Sequence, residues 1–377
     1  MKKALVNARL LQGDDWQTGQ ALLIDGETIK GIWPETDIPD GYQRQDLDGG
    51  YLLPGFIDVQ VNGGGGVLLN DATELADLER IAQAHRTFGT TALLPTLITT
   101  SWQRMQEVAA LIREARAANM PGIAGIHFEG PYLNSARKGV HNAAHIRELE
   151  DEFIALAGAG DLGSVVVTLA PEKTDPAHIE RLVDAGVIVS AGHSMASYEE
   201  MTAAIDAGLS GVTHLYNAMT PMESRAPGLI GAAFNSRECY CGFINDGHHV
   251  HPATLKAAIA AKGADRMMLV TDAMATIGTN ITAFRLDDQE IHLTDGWLTT
   301  VEGTLAGSAL DMAAAVRNAV TLLDQPLITA IHMASSVPAA FLKQEDQRGT
   351  IAAGLAADLV LLDGNMDVKR CWIAGRE

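Results

Sequence analysis

The sequence predicts an α/β protein, a (β/α)8 TIM-like barrel with a small β-sandwich domain formed by the N- and C-terminal segments. The central part of the chain alternates short apolar runs with amphipathic segments of helical length, which indicates parallel strands joined by helices. Runs such as SVVVTLA are almost continuously apolar, as expected of strands buried on both faces. The two ends read instead as short strands separated by Gly and Asp turns, such as DGET and DGG.

Eight strand candidates follow one another in the central part. They lie at 52–61, 91–97, 123–129, 165–170, 187–193, 211–214, 240–245 and 267–272. Helical patterns separate most of them, at 72–88, 102–118, 177–185 and 197–207. Because eight strand–helix units are the number that closes a parallel barrel, we expect a closed barrel rather than an open sheet.

The domain organisation follows from the same pattern. Neither end of the chain is long enough to bury a core alone, so we expect residues 1–53 and 348–377 to pair into one small β-sandwich domain. Residues 54–347 then form the barrel. The segment 281–302 is predicted to be a β-hairpin inserted after the eighth barrel strand.

The charge of the chain restricts its partners. It has 377 residues, with 47 acidic and 27 basic side chains and a formal net charge of -20. Such an acidic surface repels nucleic acid and anionic membranes, so neither is an expected partner. A phosphorylated ligand would have to be held by a local arrangement of donors.

Cellular location and redox state are judged from the N-terminus and the cysteines. The first residues lack the apolar core of a signal peptide, and no stretch reaches ~18 uninterrupted apolar residues, so a cytoplasmic protein is expected. The cysteines, Cys239, Cys241 and Cys371, are too few for a disulfide scaffold. The C-x-C pair could bind a metal; the alternative is two buried strand residues with reduced thiols.

Polar, metal-competent residues recur at the carboxyl ends of six predicted strands. They are Asp58, Gln60 and Asn62; His127 and Glu129; His193; His214; Asp246, His248 and His249; and Asp272. A single buried histidine after a strand is more often a core residue than a ligand. In a barrel, however, these ends meet on one face, where active sites lie.

The residue types at these strand ends suit metal-assisted hydrolysis. Glu129, His193 and His214 supply one carboxylate and two imidazoles, which can hold Zn²⁺ or a similar ion and leave a position for water. Such an ion lowers the pKa of water toward neutrality. Asp272 could move the proton from water to a leaving nitrogen; its alternative role is a helix N-cap.

A series of motifs occurs in order along the chain: PGFIDVQVNG, LPTLITT, HFEGPYLN, KGVHN, VTLAPE, SAGHS, THLYNAM, PGLIGA, DGHHVHP, LVTDAM and GTLAGS. With these motifs the chain closely resembles, over essentially its whole length, the N-acetylglucosamine-6-phosphate deacetylases of the amidohydrolase superfamily. The resemblance implies a metal-dependent hydrolase of amino-sugar metabolism that releases acetate from N-acetylglucosamine 6-phosphate.

The resemblance also implies a role for each matching residue. It implies that Glu129, His193 and His214 bind the metal, that Asp272 is the catalytic acid/base, and that His141 contacts the sugar and polarises the acetamide carbonyl. Phosphate contacts are implied for His249 and for Arg225, which reaches across from the neighbouring subunit of a homodimer; the role of His248 stays open. The remaining implied substrate contacts are Val140, Asn217, Ala218, Asp246, Gly247, Leu305, Ala306 and Gly307.

Two positions depart from the wider superfamily, in which many members carry His-x-His at the end of the first strand. Here these positions are Gln60 and Asn62, and neutral amides bind zinc-like ions poorly. We therefore expect one divalent ion per subunit, with zinc as the default and iron, manganese or cobalt as alternatives.

The alternatives for function concern mainly the substrate. The same metal and base would serve for the galactosamine epimer or for another small amide. A non-enzymatic sugar-phosphate sensor is disfavoured, because a sensor does not need Asp272 beside the metal ligands.

Overall fold

The computed structural model describes residues 2–377 and confirms the predicted fold class. Eight parallel strands pair in chain order around a nearly closed barrel. These barrel strands one to eight are Phe56–Val61, Thr90–Ile98, Gly125–Glu129, Ser164–Leu169, Ile188–Ala191, Gly211–Val212, Tyr240–Ile244 and Met267–Val270. The helices are Leu75–Arg86, Trp102–Ala117, Asp151–Ala157, Pro176–Asp184, Tyr198–Asp206, Gly228–Asn235, Pro252–Lys262, Met312–Thr321, Leu327–Ala334 and Ser336–Phe341.

The seam between barrel strands eight and one is closed just beyond the end of strand eight rather than by a regular ladder. Asp272 N–H donates to the Gln60 carbonyl (3.0 Å), and Asn62 N–H donates to the Ala273 carbonyl (2.9 Å). Below them, the Thr271 hydroxyl donates to the buried Asp58 carboxyl (2.5 Å). Burial raises the pKa of Asp58 to about 7. The seam therefore brings the first-strand amides next to Asp272.

The predicted first strand, 52–61, is wrong in one respect, because it divides into two strands. Tyr51–Pro54 pairs with Leu359–Leu362 in a small sheet, and the barrel strand begins at Phe56. Gly55 lies between them, and a side chain there would overlap Thr91. Because the apolar run is continuous, the sequence does not show where the chain passes from the small sheet into the barrel.

The two ends of the chain form two small sheets. One contains Lys2–Val6, Gln20–Asp25, Thr28–Pro34 and Gln43–Asp46; the other contains Arg9–Gln12, Asp15–Gln17, Tyr51–Pro54, Leu359–Leu362 and Val368–Trp372. Leu22, Ile24, Leu359 and Trp372 belong to one buried cluster, so residues from both ends share a core. We retain the division into 1–53 with 348–377 and 54–347 as a proposal; its first residue, Met1, lies outside the described residues.

The helices begin where the sequence supplies caps. Ser101 Oγ accepts from Arg104 N–H (3.2 Å) at the start of Trp102–Ala117, and Ser197 forms a capping box with Glu200. All four predicted helices are present, with ends within three residues of those expected.

The predicted hairpin at 281–302 is wrong, because this segment is a three-stranded antiparallel sheet. Its strands are Ala283–Leu286, Gln289–Thr294 and Trp297–Thr300. Leu286, Ile291 and Leu298 pack with Ile98 and Met274 in one buried cluster, so the inserted sheet covers part of the barrel mouth. A second short pair, Gly63–Gly64 and Val67–Leu68, follows barrel strand one.

The three cysteines are buried and free. Within residues 2–377, no metal-competent group of three side chains includes Cys239 or Cys241. In the same range, no helix is both long and apolar enough to span a membrane.

Candidate active site

A cavity of about 480 Å³ opens at the carboxyl ends of the barrel strands. Twelve of the residues singled out in the sequence line it: Asn62, Glu129, Val140, His141, His193, His214, Asn217, Ala218, His249, Asp272, Leu305 and Gly307. The strand-end pattern and the resemblance thus lead to a single cavity, whose size suits a small polar ligand.

Glu129, His193 and His214 form a buried cluster at the base of this cavity. Glu129 Oε1 lies 2.9 Å from His214 Nε2 and 3.2 Å from His193 Nε2. The two imidazole nitrogens are 3.0 Å apart. All three ligand atoms therefore point toward one place.

Left-handed backbone conformations aim several of these side chains. The φ angles are 48° at His193, 34° at His214 and 52° at Asp272. Residues with a Cβ rarely adopt such angles, and those that do concentrate at functional sites. Each of these residues follows a barrel strand directly or nearly so, and the turn redirects its side chain toward the mouth.

A hydrogen bond to the backbone fixes the orientation of the His193 ring. Its Nδ1–H donates to the Arg137 carbonyl (2.7 Å), and this bond turns Nε2 toward Glu129 and His214. A backbone carbonyl bonded to the far nitrogen is the usual way of orienting a metal-binding imidazole.

The electrostatics of the cluster favour binding of a cation. Burial by itself would raise the pKa of Glu129, but hydrogen bonds from His193 and His214 outweigh it and hold that pKa well below its usual range. Burial would lower the pKa of His214, but the Glu129 carboxylate outweighs it, and the pKa is raised. The carboxylate thus stays ionised at the bottom of the barrel.

A divalent metal ion fits this donor set. Tetrahedral zinc with bonds of about 2.0–2.1 Å holds its ligand atoms about 3.3 Å apart, close to the separations of 2.9, 3.0 and 3.2 Å found here. One carboxylate and two imidazoles are also donors that zinc, iron, manganese and cobalt accept.

The side-chain N–H groups of Gln60 and Asn62 donate hydrogen bonds to the carboxylates of the site. Gln60 Nε2 lies 3.3 Å from Glu129 Oε1 and 3.0 Å from Asp272 Oδ1, and Asn62 Nδ2 lies 2.6 Å from the same Asp272 oxygen. Gln60 thus contacts the carboxylates of both Glu129 and Asp272, and Asn62 contacts that of Asp272.

Asp272 is buried beside the cluster. Burial, reinforced by the negative charge of Glu129, raises the pKa of Asp272 to about 6. A carboxylate whose pKa lies near neutrality can both accept a proton and release it, as a general acid/base requires.

His141 faces the cavity from the loop after barrel strand three. Its Nδ1 lies 2.8 Å from Thr99 Oγ1 and 3.4 Å from the Thr99 backbone N–H, which it accepts. Burial and the neighbouring His193 hold the pKa of His141 well below its usual range, so the ring is neutral. Nδ1 as acceptor leaves Nε2–H free to donate to a ligand.

His249 is held by Asp246 at the cavity wall. Asp246 Oδ2 lies 2.6 Å from His249 Nδ1, and Oδ1 accepts the backbone N–H groups of His248 and His249. Burial opposes ionisation of Asp246, but these bonds outweigh it and lower its pKa. The carboxylate therefore orients His249 toward the cavity, where its Nε2 can meet an anionic group.

Six of the residues expected in the site do not line the cavity: Gln60, Arg225, Asp246, Gly247, His248 and Ala306. His248, whose role the sequence leaves open, packs its ring on Trp297 with ring centroids 4.6 Å apart. Ala306 is buried and donates its N–H to Leu298. Arg225 is exposed and, within residues 2–377, makes no hydrogen bond or ion pair.

Seven cavity-lining residues were not expected from the sequence: Ile98, Ala136, Arg137, Gly139, Met274, Gly303 and Thr304. Most lie within or directly beside motifs already recognised, such as KGVHN, LVTDAM and GTLAGS. A search for polar residues at strand ends passes over apolar side chains and loop backbone, although both shape a cavity. Thr99, the partner of His141, was missed as well.

Two protein families match consecutive parts of the chain. Residues 51–377 match the amidohydrolase family, and residues 4–52 match the NagA composite domain. The chain is 49% identical over 329 residues to an N-acetylgalactosamine-6-phosphate deacetylase of Shewanella sp. (strain ANA-3), covering 87% of this chain and 83% of that one.

Two solved structures are similar over nearly their whole length. The N-acetylglucosamine-6-phosphate deacetylase from Pasteurella multocida superimposes with a TM-score of 0.96 at 36% identity, covering 100% of this chain and 99% of that one. A mutant of the Mycobacterium smegmatis enzyme, in complex with N-acetyl-D-glucosamine-6-phosphate, gives a TM-score of 0.91 at 33% identity, covering 100% of this chain and 98% of that one.

Proposed function

The chain belongs to the amidohydrolase family, and from that premise we propose that it hydrolyses N-acetylglucosamine 6-phosphate to glucosamine 6-phosphate and acetate. The observation that carries the proposal is the placement of Asp272 beside the Glu129–His193–His214 cluster at the base of one cavity. Its test is acetate release from this sugar phosphate before and after chelation. Acetate release that is absent in both cases would refute the activity.

The residues of the chain divide the proposed reaction between them. Glu129, His193 and His214 would hold a divalent ion, which when bound lowers the pKa of water and polarises a carbonyl. Asp272, as carboxylate, accepts a proton from the attacking water and delivers it to the departing amine. His141 donates its Nε2–H to the carbonyl oxygen as negative charge develops there.

We propose one metal ion per subunit, with zinc as the default. Gln60 and Asn62 support this number, since both turn N–H groups toward carboxylates. Elemental analysis of the purified protein is expected to give one ion per chain, and extensive chelation is expected to abolish acetate release until Zn²⁺, Mn²⁺, Fe²⁺ or Co²⁺ is restored. Two ions per chain, or full activity in a metal-free protein, would contradict this prediction.

The phosphate is proposed to bind at the far side of the cavity. His249, oriented by Asp246, supplies one contact, and the exposed Arg225 supplies another in the site of the neighbouring subunit of a homodimer. A guanidinium suits phosphate because it donates two parallel hydrogen bonds. An acidic chain with net charge -20 needs such local donors.

Replacing Arg225 with alanine tests the shared site. The loss of a charge-assisted bond is expected to raise KM for the phosphorylated sugar about 10- to 100-fold and to leave the unphosphorylated sugar little affected. Arg237→Ala, which also removes an exposed arginine, is the matched control. Mixing Arg225→Ala subunits with Asp272→Asn subunits should restore activity, because one site of each mixed dimer is then complete. No restoration would count against a shared site.

The epimer, N-acetylgalactosamine 6-phosphate, is a second candidate substrate, favoured by the 49% identity to the Shewanella protein. The metal ligands and Asp272 act on the acetamide, which both epimers carry. These residues therefore do not distinguish the two configurations at the sugar C4. Comparing kcat/KM for the two 6-phosphates decides between them, with the unphosphorylated sugars as controls. A preference for the galactosamine epimer would replace the first assignment without changing the mechanism.

We also propose a cytoplasmic location and a role in amino-sugar catabolism. The three free, buried thiols support a reducing compartment.

A further inference from the structure

One carboxylate, that of Glu172, joins the loops on either side of His193. Its Oε1 accepts hydrogen bonds from Asn134 Nδ2 (2.9 Å) and from the Met195 N–H (2.6 Å). Its Oε2 accepts from the Ser194 hydroxyl (2.7 Å). These donors belong to the loops after barrel strands three and five, and Glu172 follows strand four in the VTLAPE motif. A single side chain therefore connects the loops of three consecutive strands.

The loop that Glu172 holds is the one that orients His193. Asn134 N–H donates to the His193 carbonyl (3.0 Å), and the Arg137 carbonyl accepts from His193 Nδ1–H (2.7 Å). Asn134 also begins the short helical turn that carries Arg137, since its Oδ1 accepts from Ala136 N–H. Backbone and ring of His193 are thus both fixed by residues 134–137.

His193 needs this support because its backbone is strained. Its φ of 48° lies in the left-handed region, which an ordinary side chain adopts only when the surroundings impose it. The residues on the C-terminal side of this turn, Ser194 and Met195, are fixed by Glu172 itself. Without the carboxylate, three donors would lose their acceptor and the turn would lose its restraint.

We propose that Glu172 is a positioning residue for His193 and thereby sets the metal affinity of the site. The inference rests on the proposed function, because it assumes that Glu129, His193 and His214 bind the ion. Groups that orient a metal ligand typically contribute about 10- to 100-fold to affinity. Glu172 does not line the cavity, so its effect is exerted through His193 and not on substrate.

The test measures metal binding by the apo-protein. Glu172→Ala removes all three acceptors and is expected to weaken Zn²⁺ binding, followed by competition with a chromophoric chelator, about 10- to 100-fold. Glu172→Gln keeps an oxygen for Asn134 and Met195 and offers an N–H to the Ser194 oxygen, so its affinity should stay within about threefold of the unaltered protein. Glu199→Ala, which removes an exposed carboxylate of the next helix, should change nothing.

A spectroscopic measurement distinguishes positioning from a general loss of stability. With Co²⁺ in place of Zn²⁺, Glu172→Ala is expected to shift the visible absorption of the bound ion, and Glu172→Gln to preserve it. If Glu172→Ala binds Zn²⁺ as tightly as the unaltered protein, with the same Co²⁺ spectrum, the proposal is wrong.

Two further variants keep the outcome decisive. His193→Ala should abolish tight binding; if it does so while Glu172→Ala binds normally, only the role of Glu172 falls. If His193→Ala keeps the metal, the proposed metal site itself falls. Should Glu172→Ala fail to fold, Ser194→Ala takes its place, because it removes one of the three bonds. An unchanged Zn²⁺ affinity in Ser194→Ala would then overturn the proposal.

Discussion

Replacing Asp272 with asparagine is expected to lower kcat about 100- to 10,000-fold while the metal content stays at that of the unaltered protein. The amide can still accept the hydrogen bonds from Asn62 and Gln60, so the geometry at the barrel seam is retained. It cannot take a proton from water at neutral pH, which removes the proposed base. Acetate release and elemental analysis on the same sample measure both effects.

A matched control shows whether the loss is chemical. Asp287 also has a left-handed backbone, with a φ of 51°, but it is exposed at a turn of the inserted sheet. Asp287→Asn should therefore keep full activity. Turnover by Asp272→Asn within tenfold of the unaltered protein would remove Asp272 from the proposed role, whatever the metal content.

Most of the barrel could be predicted from the sequence because its strands are buried on both faces. A strand such as Ser164–Leu169 is an apolar run that ends in a polar loop, and this contrast marks its position. The division of the first predicted strand could not be found in this way. The residues on both sides of Gly55 are apolar, and the change of sheet is visible only in the strand pairing, in which Leu53 pairs with Val360 and Phe56 with Thr90.

Site residues that act through their own side chain could be predicted from the sequence. Contacts between residues that are distant in the sequence could not. Glu129 and His214 lie at or just beyond the carboxyl ends of short strands, so their positions in the sequence indicated them. The roles of the adjacent His248 and His249 could not be distinguished by residue type, because both are histidines. They differ in the structure because His248 packs on Trp297, which is distant in the sequence. The bond from Thr99 to His141 likewise joins two loops, and no spacing rule connects them.

Replacing Glu129 with glutamine is expected to abolish stoichiometric metal binding and reduce turnover to the background of the assay. The substitution keeps the shape of the side chain but removes the only negative charge among the three proposed ligands, and an amide is a poor partner for a zinc-like ion. Ligand binding to the folded state stabilises it by about 2.7 kcal/mol at a hundredfold excess over Kd. The unaltered protein should therefore gain thermal stability on addition of Zn²⁺, and Glu129→Gln should not.

The two substitutions separate the parts of the site, because each carboxylate acts on a different partner. Loss of Glu129 is expected to remove the metal and, with it, all turnover, whereas loss of the Asp272 charge leaves the metal and removes only the proton transfer. Glu180→Gln, on the exposed face of a helix, is the control for the first substitution and should keep both metal and activity. A Glu129→Gln protein with one tightly bound ion would show that the two histidines and another group suffice, and the assignment of the cluster would have to change.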